Sequence, residues 1–70
     1  MILEQWEVQE DELEEYIIWG NIYDDDKMRF KDGTRIHTSG ISHKIFPTPE
    51  LKEGTTIVTR NSIYQLGIRK

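Results

Sequence analysis

The chain has no cysteine, so no disulfide can staple it. It has only two histidines and no clustered ligand spacing, which argues against a structural metal. No apolar run approaches the ~20 residues of a membrane span, and no basic leader followed by an apolar stretch opens the chain. The pattern is that of a soluble, cytoplasmic protein with no membrane partner. Catalytic constellations are missing as well. Ser39, Ser42 and Ser62 lack a nucleophile-elbow context, and His37 and His43 stand near no diagnostic acid pair. No Gly-rich loop precedes a helix. Asp24-Asp25-Asp26 lacks the Gly and terminal Glu of a calcium loop, so it reads as an exposed turn. The expectation is a protein that is not an enzyme and carries no cofactor.

Basic residues are absent from the first third of the chain. Residues 1–26 hold ten acids and no Lys or Arg, while residues 27–70 hold nine bases and three acids. An acidic front and a basic body can attract one another within one chain or between copies, and the basic body can also face an anion. With 70 residues and 36% hydrophobic content, residues 1–70 form one small domain. A domain of this size buries only about 60% of its unfolded surface. With disulfide and metal set aside, self-association is the remaining aid to stability, so a homo-oligomer is expected.

What the chain does have is a repeat. Lys31-Asp32-Gly33-Thr34-Arg35-Ile36-His37-Thr38 returns as Lys52-Glu53-Gly54-Thr55-Thr56-Ile57-Val58-Thr59. Each copy reads as a polar turn whose Gly takes positive φ, then a strand with Thr and Ile alternating. Each is followed by a second turn, Ser39-Gly40 or Arg60-Asn61-Ser62, and a returning strand. Two similar β-hairpins are therefore expected at the centre of an all-β domain. That domain is read as a small barrel or meander of five to six short antiparallel strands, of SH3-like size.

Around the repeat, Tyr16 to Tyr23 is the clearest strand. Tyr16, Ile18, Gly20 and Ile22 share one face, and Ile17, Trp19, Asn21 and Tyr23 the other. Gly20 in mid-strand predicts a bend or a close backbone approach. Both faces are largely apolar, so one of them is expected to meet a second subunit. Before this strand, Leu3, Trp6, Leu13 and Ile17 fit a helical spacing, but Trp6 and Val8 alternate as on a strand. A strand pair turning at Gln9-Glu10-Asp11-Glu12 is favoured, with a short N-terminal helix as the alternative. Met28 and Phe30 resume the alternation. Pro47 and Pro49 forbid a central strand, and Thr48-Pro49 reads as the cap and first position of a short helical turn within 48–52. The last four residues are expected to fray.

Strand alternation places Ile36 inward and Arg35 and His37 outward. The turns at Thr38-Ser39 and Arg60-Asn61 present hydroxyls, backbone N–H groups and a cation. If the two hairpins pack as equivalent units, these turns converge on an anion. Arg35, His37, Thr38, Ser39, Arg60 and Asn61 then form the candidate ligand-binding set, with Trp19 or Tyr23 as a surface for a stacked base. The expected ligand is a small anionic nucleotide-type molecule. A second reading makes the acidic front the contact with a partner protein. Direct binding of double-stranded DNA is disfavoured, because that front repels phosphates.

Asp32-Gly33-Thr34 with Ile36, Thr38-Ser39 with Ile41, and then Thr59, Ser62, Tyr64 and Leu66-Gly67 form a pattern that resembles small uncharacterised β-rich proteins of phages and prophages. The likeness runs from Gly20 onward. Gly40-Ile41 departs from it, where Pro-Ile or Pro-Val is expected, and so does Asn61, where Gly is common. The resemblance implies a setting rather than a site. Short phage accessory proteins often inhibit bacterial defence, as sponges for nucleotide signals or as blockers of a host defence protein.

Overall fold

A computed structural model describes residues 1–10 and 14–70. Of the turn expected at Gln9-Glu10-Asp11-Glu12, Gln9 and Glu10 are instead strand residues paired with Ile17 and Tyr16, whereas Asp11, Glu12 and Leu13 of the helical stripe lie outside the described residues. Among the described residues, six strands form one mixed sheet: β1 (Ile2–Glu10), β2 (Glu15–Tyr23), β3 (Thr34–His37), β4 (Ile41–Ser42), β5 (Thr56–Val58) and β6 (Ile63–Leu66). Their order is β3-β2-β1-β6-β5, with β4 also paired to β2. The fold is an all-β meander, and the sheet does not close into a barrel. All ladders are antiparallel except β1–β6, which is parallel.

The N-terminal segment is a strand, not a helix, and a bulge explains its misleading spacing. The β1–β2 register slips between Glu4 and Glu7, and Gln5 sits at φ 51°. One extra residue resets the alternation, so Leu3 and Trp6, three apart, both point inward. Leu3, Trp6, Tyr16, Ile18, Ile22, Ile57 and Leu66 are almost fully buried and form the core with Ile36, Ile41, Leu51 and Tyr64. Gly20 is needed for space. A Cβ there would stand 3.0 Å from Leu3 Cβ, the close approach expected of it.

The repeat folds twice into the same turn and strand. Gly33 and Gly54 both have φ 88°, and Thr34 N–H and Thr55 N–H each bond to the Lys carbonyl three residues back, at 3.1 Å. Gly33 N–H donates to Ile22 O and Gly54 N–H to Leu66 O, both at 2.7 Å. Ile36 then lies opposite Gly20, and Ile57 opposite Tyr64. Arg35 and His37 are exposed while Ile36 is buried, as the alternation requires.

The copies diverge after the final Thr, and here the expected first hairpin gives way. β3 and β4 both pair with β2: His37 opposes Trp19 and Ile41 opposes Tyr16. Three residues, Thr38 to Gly40, thus face two, so Ser39-Gly40 is a bulge in one interrupted strand and not a reversal. Of the two copies, only the second forms a hairpin, β5–β6. Three smaller expectations also change. Met28 and Phe30 belong to no strand, because Met28 sits at φ 55° in the loop before Lys31. A 3₁₀ turn forms at Thr48–Glu50, but its capping position is Pro47, with no side-chain cap. The last residues run beside β1: Trp6 N–H bonds to Ile68 O at 3.3 Å and Lys70 N–H to Trp6 O at 2.9 Å.

Among the described residues, no helix is long and apolar enough to cross a membrane. The acidic front and basic body meet within the chain. Arg35 and Lys70 flank Glu7, His43 meets Glu10, and Lys44 meets Glu14. These pairs are exposed, so each contributes little, about 0–1 kcal/mol.

Candidate functional site

Two loops and a bulge converge at one end of the sheet. The β5–β6 turn is held by Thr59, whose N–H donates to Ser62 O at 2.8 Å and whose Oγ1 accepts from Ser62 N–H at 3.2 Å. From the bulge, Ser39 Oγ accepts a bond from Asn61 Nδ2 at 3.1 Å. The bulge after the first copy and the turn after the second thus meet through a side-chain hydrogen bond, although only the second reverses the chain. The third segment is the loop after β2. Lys27 Nζ bonds to Asn61 O and lies 3.5 Å from Ser62 Oγ, and Arg29 Nη2 reaches the same oxygen at 3.3 Å.

The loop is shaped by Asp25, the middle residue of the acidic run. Its buried carboxylate accepts from Lys27 N–H at 3.1 Å, Arg29 N–H at 2.9 Å and Phe30 N–H at 3.1 Å. Burial by itself would raise the Asp25 pKa. The three backbone donors and the Arg29 guanidinium outweigh that and hold it below the usual carboxylate value. Asp25 thus fixes the backbone carrying both cations.

Between this loop and the turn lies a cleft of about 370 Å³, lined by Asp26, Lys27, Thr59, Arg60, Asn61 and Ser62 among others. Lys27 is bound there only by neutral oxygens, and Arg60 has no hydrogen-bond or ion-pair partner among the described residues. Asp26 is a largely exposed carboxylate on the same wall. Two cations, a hydroxyl and an amide around an open cleft can receive an oxyanion.

The expected site residues divide into three groups. Arg60 and Asn61 line the cleft, and Ser39 supports it through Asn61. Thr38 is buried at 1% exposure, where it ties β3 to β2 by accepting Ile18 N–H and donating to Ser39 O. Arg35, His37, Trp19 and Tyr23 sit on the outer sheet face, away from the cleft lining. There Arg35 donates to Gln5 O at 3.3 Å and Asn21 Oδ1 at 3.1 Å and pairs with Glu7 at 3.6 Å. Trp19 donates to Gln9 and packs on His37, with ring centroids 4.8 Å apart. Nothing in the residue order singles out Lys27 and Arg29. The adjacent acids make them look like a solvated turn, and only the long-range contact with Ser62 marks them. Among the described residues, no cluster of His, Asp or Glu could hold a metal ion.

Comparison with protein-family models, curated protein sequences and solved structures found no match to this chain.

Proposed function

We propose that this is a non-enzymatic binding protein that holds a small phosphate-bearing, nucleotide-type anion in the cleft at the β5–β6 turn. The observation that carries the reading is Lys27 and Arg60 facing that cleft beside Ser62 and Asn61, with no carboxylate among the described residues paired to either. The resemblance to phage proteins supplies the setting: a counter-defence protein in the host cytoplasm that sequesters a nucleotide signal. The alternative, an inhibitor that grips a defence protein through the acidic front, is less favoured. Glu7, Glu10, Glu14 and Asp25 are already engaged by the chain's own bases.

Heating the purified protein and identifying released small molecules by mass spectrometry tests for a captured nucleotide. In parallel, pyrophosphate and a panel of linear and cyclic nucleotides are screened by thermal melting. A ligand at ~100 times its Kd adds roughly 2.7 kcal/mol. The stabilisation is expected to vanish in Lys27→Ala with Arg60→Ala and to persist in Arg35→Ala. No anion raising the melting temperature, or the double variant retaining the effect, defeats the reading.

A further inference from the structure

The two outer strands, β3 and β5, are equivalent by the repeat but present different edges to solvent. Thr55 O accepts from Leu66 N–H of β6, Thr59 N–H donates to Ser62 O just before β6, and Ile57 faces Tyr64. The alternation of an antiparallel ladder then turns the backbone N–H and C=O of Thr56 and Val58 away from β6, toward the open edge. The equivalent outward residues of β3 are Arg35 and His37. A charge and a polar ring at those positions are a common guard against pairing with another chain. The β5 edge has none: it reads Thr-Ile-Val, a run of high β-propensity. Val58 is 56% exposed and its cross-strand neighbour Ile63 is 58% exposed, an apolar pair beside the unpaired backbone.

We infer that β5 is a self-association edge, where two copies of this chain pair their β5 strands antiparallel about a two-fold axis, Thr56 of one opposite Val58 of the other. Ile57 then lies at the axis, and each pair of outward residues exchanges N–H···O bonds. A second copy is the fitting occupant because the ends of the strand complement one another. Arg60 follows β5 and Glu53 precedes it, both exposed and neither ion-paired to a described residue. In the two-fold arrangement Arg60 falls beside Gly54 of the second copy, next to its Glu53. A parallel arrangement would set Arg60 against Arg60. The isologous contact also closes on itself, so it stops at a dimer. This moves the interface from the Trp19 face to the β5 edge.

Light scattering and sedimentation of the ligand-free protein at high micromolar concentration test the inference. The wild type is expected to be a dimer, and Val58→Lys a monomer with an unchanged circular dichroism spectrum. Arg60→Glu should weaken the dimer, and adding Glu53→Arg to it should restore association. A monomeric wild type, a Val58→Lys variant that stays dimeric, or a charge exchange that restores nothing overturns the inference. So does a species that keeps growing with concentration, since that requires a head-to-tail contact. If Trp19→Ala dissociates the dimer and Val58→Lys does not, the outer sheet face is the interface instead.

Discussion

The two copies of the repeat share a turn, a strand and a closing threonine, yet one becomes an interrupted strand and the other a hairpin. The difference lies in where the partner strand sits along the chain. For the first copy the partner is β2, already laid down, so Thr38 bonds back to Ile18. The chain then bulges and continues along β2, burying Ile41 opposite Tyr16. For the second copy the partner is β6, still to come, so Thr59 bonds forward to Ser62 and the chain must reverse over Arg60 and Asn61. One local motif thus serves two topologies, with its threonine hydroxyl accepting the partner's N–H in both. Only the reversing copy exposes a polar loop, and that loop forms a wall of the cleft.

The largest expected effect compares the inward isoleucines. Ile57→Ala and Ile36→Ala should each cost about 2–5 kcal/mol. Ile57 should cost more, because it is fully buried against Tyr64 whereas Ile36 retains 8% exposure opposite Gly20. Urea titration of both variants measures this, and a larger loss at Ile36 would break the assignment of the better-packed copy.

A pH titration probes the first copy alone. Tyr16, opposite Ile41, donates its hydroxyl to Phe46 O at 2.7 Å. Burial, and then the charge of Glu10, push its pKa up from 10.0 to about 12. The neutral phenol is the form that the fold favours. Its contribution is therefore complete below pH 10 and is lost as pH rises from 10 to about 12. Melting temperature should fall across that window, and Tyr16→Phe should remove this component of the fall. A Phe variant with an identical alkaline profile would show that the Tyr16 hydroxyl does not anchor this half.

Replacing each closing threonine by valine sharpens the comparison further. Thr38→Val leaves the Ile18 N–H without its acceptor in a buried place and should cost about 1–3 kcal/mol. Thr59→Val should cost less, since Thr59 is only half-buried and water can reach Ser62 N–H. Thermal melting gives both values, and equal losses would mean that the two hydroxyls are equally buried in solution. The smallest effect tests sameness. Gly33→Ala and Gly54→Ala place a side chain at φ 88° with no atom nearer than 3.7 Å to the added Cβ in either turn. Each should cost roughly 1–2 kcal/mol through backbone conformation alone, with the two variants melting together.

The repeat itself, the positive-φ glycines, the burial of Ile36 and Ile57 and the outward direction of Arg35 and His37 could all be read from residue order. Each depends on local geometry: a turn that needs Gly, and a strand whose sides alternate. Pairing could not be read in the same way. Ser39-Gly40 and Arg60-Asn61 are both acceptable turn sequences, and whether either reverses the chain depends on which strand waits beside it. The slip at Gln5 was hidden too, because a bulge mimics helical spacing until the register against β2 is known. The cleft belongs wholly to tertiary structure. Lys27 stands 34 residues from Asn61, and only a sheet that brings the loop after β2 against the β5–β6 turn sets Lys27 and Arg60 in one cleft.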